Sequence, residues 1–528
     1  MKKVLYSIFV LILIFSVNAC NKLDLGPEDY YASGNFWKTT AQVDGAMVGI
    51  HAQLRGNQFT FFQLGELRGG DFKDGTGATG TSSLNSVQFI RQDIRESAPG
   101  FSSWAGFYGP IFQVNLFISQ VEKATYLSDS DKKYYLGQAY GIRAFYYFHL
   151  FRTYGRVPLA TEPSVIIKTP TSASDAYLAR AKTEKETLDF IKSDLDKSVT
   201  NFSGDYTVKF QKAQWSLPAT QMLKAEVYLW SAKVKLDGAA PTNTTPDLAT
   251  ARAAVEDALT KCSKQSNFAD IFKYSNKGNS EIIFSLRYQV GEATNAFNQF
   301  VYAQTDPMAS FVTSGGAPLT SDQAGASPSD PLKIAGSGSI IRYEYKYDLF
   351  AKFDTTMDLR ARATFFDFYK NPIATNKFVN LRKYLGTMDG TNRSFGDDYP
   401  VYRWAGAMLL LAEIKNKQGQ DPSTEINAIR QRGYGNNVAP VFVNGSFEAN
   451  ELAIFEERGK ELVAEGVRWY DLRRMQSANG DPLAFRKDIP LVGVLDKTTE
   501  SHKLVLPIDK STMANDPTVE QNPGYPGT

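Results

Sequence analysis

The stretch GQAYGIRAFYYFHLFRTYGRVPLAT, residues 137–161, holds most of one long helix and the point where it stops. Leu136, Ala139, Arg143, Tyr147, Leu150 and Tyr154 recur at intervals of three and four, the spacing of a single helical face. Phe145, Phe148 and Phe151 widen that face until little polar surface remains, which predicts a helix buried on most sides. Gly155 supplies a stop, and Pro158, lacking an amide hydrogen, prevents resumption. Upstream, Asp129 or Asp131 offers the N-cap. Gly137, Ala139 and Ala144 are small enough to let a second helix cross closely.

The same pattern recurs on either side. Residues 40–55 read as a helix capped by Thr39 or Thr40. Ile111, Val114, Phe117, Ile118 and Val121 mark another over about 105–123. Further helices are predicted over 174–200, 214–235 and 248–262, with Ala225 and Ala232 at crossing positions. Consecutive paired helices with small residues at their crossings suggest tetratricopeptide-like units, although no clean 34-residue repeat is visible. Helical periodicity returns over 399–418, 422–432 and 447–477. Two stretches interrupt it. Residues 56–103, with RGGDFKDGTGATGTSS, have loop composition. Residues 266–398 mix a strand-like EIIFSLRYQV (281–290), a Gly/Ser/Pro-rich loop and the alternating YEYKYDLF (343–350). The tail from 478 carries one strand-like piece, HKLVLPI (502–508).

The N-terminus is of a different kind. Residues 4–17 are uncharged and almost wholly apolar after Lys2 and Lys3. Fourteen residues span about 21 Å as a helix, short of the hydrocarbon core of about 30 Å. Residues 1–19 therefore read as a secretory leader rather than an anchor helix. Val-Asn-Ala-Cys (17–20) resembles a bacterial lipobox, which makes Cys20 a lipid attachment point. Cys262 is then left alone, and no internal disulfide is expected. Loss of the two leader lysines takes the formal charge from +2 to 0. A neutral body has no electrostatic footprint for nucleic acid. Tyr, Phe and Trp make up 13% of the chain, and most of these must be core.

Chemistry-bearing motifs are scarce. Glu457, Glu461 and Glu465 fall on one helical face, and paired carboxylates are the tools of glycosidases. Arg458, Arg468, Arg473 and Arg474 are interleaved with them, so structural ion pairs are the better reading. His51, His149 and His502 stand alone, without a second ligand at metal spacing. The loop from Asp71 to Asp74 lacks the alternating oxygens of a calcium loop.

Five stretches in order carry a more specific likeness: YGPIFQVNLFISQVEKA with its central Asn115, GQAYGIRAFYYFHLFRTYGRVPLAT, YRWAGAMLLLAEIKNKQG (402–419), EERGKELVAEGVRWYDLRR (456–474) and LVLPID…NDPTVEQNPGY (504–525). Together they resemble the SusD/RagB family, surface lipoproteins of Bacteroidetes that bind nutrients beside a TonB-dependent transporter. The resemblance implies a mostly α fold: tetratricopeptide-like hairpins in a right-handed superhelix, plus an irregular, loop-rich ligand-binding half. It divides the chain into a leader (1–19), an N-terminal helical region (20–265) and a C-terminal region (266–528) with its excursion at 266–398. It implies a non-enzymatic, lipid-anchored protein of the outer-membrane surface, without cofactor or metal, that hands an oligomeric nutrient to a SusC-like transporter. A glycan is the first choice of ligand and a peptide the second; a surface glycoside hydrolase is the remaining rival. Family ligand residues come from the irregular segments and vary, so the site residues are chosen by position. They are Arg68, Asp71, Phe72, Phe89 and Arg91 in the first segment, and Tyr302, Arg342, Tyr343 and Tyr345 in the second. Trp104, Trp230, Trp404 and Trp469 are assigned to packing.

Overall fold

Thr39 opens the first helix by a reciprocal cap. Its hydroxyl accepts the Gln42 amide at 3.3 Å, and the Gln42 side chain accepts the Thr39 amide at 3.2 Å. The computed structural model describes residues 36–80, 83–101, 104–163, 178–302, 307–516 and 518–526, so the leader and Cys20 lie outside the described residues. The main helices are α1 (Thr40–Gly56), α2 (Gln58–Glu66), α3 (Ala105–Lys123), α4 (Asp129–Tyr154), α5 (Glu184–Phe202), α6 (Leu217–Lys233), α7 (Thr244–Leu259), α8 (Trp404–Lys417), α9 (Ser423–Tyr434), α10 (Phe447–Glu461) and α11 (Arg468–Arg474).

Each long helix packs on the next in sequence: α3 on α4, α4 on α5, α5 on α6, α6 on α7, and α7 across the excursion on α8. Such nearest-neighbour stacking is what tetratricopeptide-like arrays do. Helix α4 is the axis, and every residue from Gly137 to Tyr154 is buried. Gly141 shows why small residues are needed there. A Cβ on it would lie 2.1 Å from Trp215 Nε1 and 3.0 Å from Thr220 Oγ1, where the chain enters α6. Arg143, on the same helix, donates to both oxygens of Asp194 at 2.7 and 2.8 Å and to Asn115 Oδ1 at 2.8 Å. Asn115 in turn donates to the Ala160 carbonyl at 3.0 Å. One buried ion pair thus locks α3, α4, α5 and the stop after α4 together.

Four boundaries differ from the sequence reading. Ser128 caps α4 in place of Asp129 or Asp131, accepting the Asp131 amide at 3.1 Å. Helix α5 starts at Glu184, because Thr183 caps it and Arg180 is already bridged to Pro158. The helix expected over 447–477 breaks between α10 and α11, where Ala464 and Gly466 take positive φ of 62° and 71°. Among the described residues HKLVLPI forms no strand; Ser501–Leu504 is a helical turn.

The excursion is rooted by a two-stranded ladder. Strand β1 (Ile282–Leu286) pairs antiparallel with β6 (Tyr399–Arg403), Ile282 opposite Arg403 and Leu286 opposite Tyr399. Two small separate hairpins, β2 (Phe365–Tyr369) with β3 (Lys377–Leu381) and β4 (Thr387–Asp389) with β5 (Asn392–Ser394), fall between β1 and β6 in the chain. YEYKYDLF contributes a single bridge, Tyr345 to Phe72, and a short helical turn from Tyr347 to Ala351. Cys262 is a free thiol, and burial pushes its pKa up to about 12.

Candidate ligand-binding face

After α2, a tight helical turn (Leu67–Gly69) leads through Gly70 into the first irregular segment. That segment zips onto the second, some 270 residues away in the chain. The Lys346 amide donates to the Asp71 carbonyl, the Lys73 amide to the Glu344 carbonyl and the Asn85 amide to the Arg342 carbonyl, each at 2.8 Å. Arg342 is anchored from the other side as its own amide donates to the Gln299 carbonyl at 2.7 Å. The two segments chosen from sequence are therefore neighbours and form one face.

Beneath the zipper lies an aromatic layer. Phe72 and Tyr345 have ring centroids 4.3 Å apart, Phe300 and Tyr343 5.4 Å, and Phe62 and Phe300 5.3 Å. The Tyr345 hydroxyl donates to Glu66 Oε1 at 3.1 Å. Glu66 also accepts the amides of Ala464 at 2.9 Å and Gly466 at 3.2 Å, which fixes the α10–α11 break against the end of α2. Burial pushes the Glu66 carboxyl up to about 7, against the pull of the Ala464 amide.

Seven of the nine positional choices belong to this floor or its supports and do not face solvent. Phe72, Tyr343 and Tyr345 are the aromatic layer itself, and Phe89 packs on Phe101. Tyr302 is buried against Phe368. Arg68 is buried with its guanidinium 3.9 Å from the Trp469 ring, and donates to Gln92 Oε1 at 2.6 Å and to the Lys503 carbonyl. Burial lowers its pKa to about 9. Asp71 accepts from Arg468 Nε at 3.0 Å. Only Arg91 and Arg342 reach the surface. Arg91 pairs with Asp74 at 2.5 Å, and that hydrogen bond draws the Asp74 carboxyl below its ordinary value.

The rim contains residues that the sequence reading did not single out. Lys73 pairs with Glu344 at 3.3 Å and sits 5.1 Å from the Phe378 ring centroid. The other Glu344 oxygen accepts the Ala78 amide at 2.8 Å, pinning the first loop. Phe59, Tyr347 and Phe378 are half-buried; Phe59 packs on Tyr343, and Lys377 lies 5.6 Å from the Tyr347 ring centroid. The alternation in YEYKYDLF is the signal that points to Tyr347; nothing local marks Phe378.

The Glu457–Glu461–Glu465 row lies elsewhere, fully inside. Arg403 donates to Glu281 at 2.8 Å, to Glu461 at 2.7 Å and to both oxygens of Glu465 at 2.8 and 2.7 Å. Arg360 pairs with Asp358, Glu457 and Glu461, Arg432 with Glu281 and Glu461, and Lys383 with Glu465. Burial opposes the charge on Glu461, but Arg432, Arg403 and Arg360 together hold its carboxyl far below the ordinary range. Such locked carboxylates are scaffold. The histidines are equally occupied. His51 Nδ1 lies 2.8 Å from the Met47 carbonyl, His149 sits against Phe61 and Phe145, and His502 lies edge-on to Tyr525. Among the described residues no three His, Cys, Asp or Glu side chains cluster at metal-binding range. Trp104 is buried against Tyr154, as its helix-start position predicts.

The helical array thus presents two joined loops over an aromatic floor with a charged rim. Residues 367–525 match the family described as "SusD family", and residues 50–229 the one described as "Starch-binding associating with outer membrane". A SusD superfamily protein from Bacteroides fragilis, solved by crystallography, is 37% identical and superposes with a TM-score of 0.82 over 93% of this chain and all of its own. B. fragilis NanU is 32% identical, with a TM-score of 0.78 over 95% of this chain and 100% of its own. The SusD-like protein P38 of Formosa agariphila is 26% identical over 99% of both chains. The chain belongs to the SusD/RagB family.

Proposed function

We propose that the protein is a lipid-anchored binding protein of the outer-membrane surface that captures a glycan and passes it to a SusC-like TonB-dependent transporter. The observation that carries the reading is the joining of the two irregular segments. The zipper carries the partly exposed Arg342 and Lys73, Lys73 stands 5.1 Å from the half-buried Phe378 ring, and the half-buried Phe59 packs on Tyr343 beneath it. Rings take the apolar faces of pyranoses, and a few fixed polar groups take hydroxyls. The family description "starch-binding" supports a sugar as the ligand. Delivery supplies no chemistry of its own: a tethered site raises local ligand concentration at the pore.

Arrays of oligosaccharides and of peptides test the ligand class; binding to peptides alone would sink the glycan assignment. With a glycan in hand, Phe378→Ala and Arg342→Ala are each expected to weaken binding by about tenfold, roughly 1.4 kcal/mol; Arg342→Ala should leave the unfolding midpoint in place, whereas Phe378→Ala also lowers it because the ring packs on Phe311 and Phe368. Unchanged affinity in both would remove this face from the reading. For the anchor, Cys20→Ala is expected to move the protein from the membrane pellet to the soluble fraction, since the attached acyl chains supply the membrane affinity. Retention in the pellet would overturn the anchor.

A further inference from the structure

Among the described residues nine buried cations, Arg143, Arg360, Arg403, Arg432, Arg458, Arg468, Arg474, Lys233 and Lys383, make ion pairs. Arg68, Arg152, Arg180 and Arg393 are buried without one, and so is Arg473. It is more than nine-tenths buried, yet no carboxylate of the described residues comes within 4.0 Å of its guanidinium. Its Nη1 donates to the Arg152 carbonyl, and its Nε is buried without any hydrogen-bond partner. Arg152 behind it is also buried and without a carboxylate; it lies against the rings of Tyr470 and Phe148, at 3.7 and 4.1 Å. An isolated buried charge is costly unless something neutralises it.

Arg473 lines a cleft of about 1070 Å³ between the end of α4, the loop after α6 and the C-terminal tail. The cleft is distinct from the face formed by the two joined segments. Its charges are Arg156, Lys182, Lys235, Lys497 and Arg473 against Glu184, Asp237 and Asp481. Lys233 also borders it but is committed to Glu413 and Glu451. The acids are engaged but stay charged: Glu184 favours the Arg473 cation from beyond ion-pair distance, and Arg156 is itself paired with Glu520 at 3.6 Å. Asp481 pairs with Lys497 at 2.6 Å, while Glu184 and Asp237 each accept the other's backbone amide, at 2.6 and 3.0 Å. Lys182 and Lys235 are exposed, and no ion pair engages them among the described residues. Thr498, Thr499, Ser501 and Asn522 add hydroxyl and amide groups to the wall.

We propose that this cleft is a second ligand site, one that takes the carboxylate or sulfate of an acidic saccharide on Arg473. With Nη1 committed to the Arg152 carbonyl and Nε buried, the remaining Nη2 edge of Arg473 is the part that can meet a carboxylate or sulfate oxygen, and the lysines at the mouth concentrate anions there. The volume suits one or two sugar rings, and the hydroxyl-bearing wall suits their remaining polar groups. The saccharide half of this assignment rests on the glycan reading above; the anionic half rests on the cleft alone.

Calorimetric titration of the full chain with glucuronate, glucose and sodium sulfate tests it. Glucuronate is expected to bind saturably, glucose not at all at the same concentrations, and sulfate to compete with glucuronate. The double variant Lys182→Glu/Lys235→Glu, both surface residues, is expected to weaken glucuronate binding at least about tenfold. Arg473→Gln is expected to abolish it. Since Arg473→Gln alters a buried position, the surface double variant decides if that protein fails to fold. Equal binding of glucose, absence of saturable glucuronate binding, sulfate binding alone, or indifference to the double charge reversal each overturns the proposal. Affinity for a neutral glycan, read with Arg342→Ala, reports on the other face, so either site can fail without the other.

Discussion

Replacing Arg403 with methionine will destabilise the protein by at least about 5 kcal/mol, enough to leave much of it unfolded at 25 °C. The side chain fills the same space, so the loss is electrostatic. Arg403 is the one cation that touches Glu281, Glu461 and Glu465 together. Without it Glu465 retains Lys383, and Glu281 and Glu461 retain Arg432, but buried negative charge exceeds positive in a region closed to water. Breaking one buried pair typically costs about 3–5 kcal/mol because the remaining charge is left uncompensated. The pH dependence identifies the cause. In the native protein Glu461 and Glu465 are held below the ordinary carboxylate value, burial opposing and the surrounding cations prevailing. Their contribution is present above pH 4.5, the unfolded value, and is lost as pH falls through the folded one. In the variant these carboxyls shift upward and take up protons, so the deficit relative to wild type shrinks as pH falls from about 7.5 toward about 5. Urea unfolding at the two pH values measures it; an equal deficit at both would mean that packing, not charge, holds the cluster. The exposed pair Arg91–Asp74 is the contrast, and Arg91→Ala is worth no more than about 1 kcal/mol.

That cluster also shows where sequence reasoning reaches its limit. The interleaved Arg and Glu of 456–474 announce ion pairing, but the decisive partners follow no local rule. Arg432 lies 29 residues from Glu461, Lys383 lies 82 from Glu465, and Glu281 lies 122 from Arg403. Helices α3, α4, α6 and α7 were legible because a 3.6-residue period sustained over four or more turns fits a helix and no strand. Their ends were less so. Ser128 and Thr183 outcompete nearby acids as caps because their hydroxyls reach the third amide onward, and this is decided within single residues. The break at 462–467 did have a signal, Gly466, but its cause is the distant carboxylate of Glu66.

The candidate ligand face divides in the same way. Composition located both irregular segments, and the family resemblance made them one surface. Most of the individual residues chosen turn inward, for a reason present in the sequence. In RYEYK (342–346) successive side chains alternate in direction, so Tyr343 and Tyr345 turn to the same side. The large apolar rings take the buried side, against Phe300 and Phe72, while Arg342 and Lys346 stay half-exposed and Glu344 between them is buried on Lys73 and the Ala78 amide. Choosing aromatics for their affinity to sugars selected the inward set.

Changing Gly65 to alanine is expected to cost about 3 kcal/mol or more, and to do so at the foundation of the ligand face. A Cβ there would stand 1.7 Å from the Gly466 oxygen, 2.4 Å from its carbonyl carbon and 2.9 Å from Tyr470 Cε2. The first two are backbone atoms, so no side-chain rotation relieves the clash. The end of α2 and the 464–466 turn must separate, and the hydrogen bonds from Ala464 and Gly466 to Glu66 are lost with them. Gly45 and Gly106, helical glycines where an added Cβ would meet nothing within 4 Å, are the controls; alanine there is expected to stabilise by about 0.5–1 kcal/mol. Glu66 gives the variant a pH signature opposite in sign to that of Arg403→Met. Its native pKa is raised from 4.5 to about 7, burial outweighing the Ala464 hydrogen bond. Its contribution to stability is thus full below pH 4.5 and is lost as pH rises through about 7. Once water reaches the carboxyl its pKa falls back, so Gly65→Ala loses more, relative to wild type, at about pH 5 than at about pH 8. Glycan affinity should fall in the same variant, because Glu66 holds Tyr345 and Tyr345 holds Phe72 beneath the joined loops. Full affinity in a folded Gly65→Ala protein would show that the aromatic floor does not position the rim.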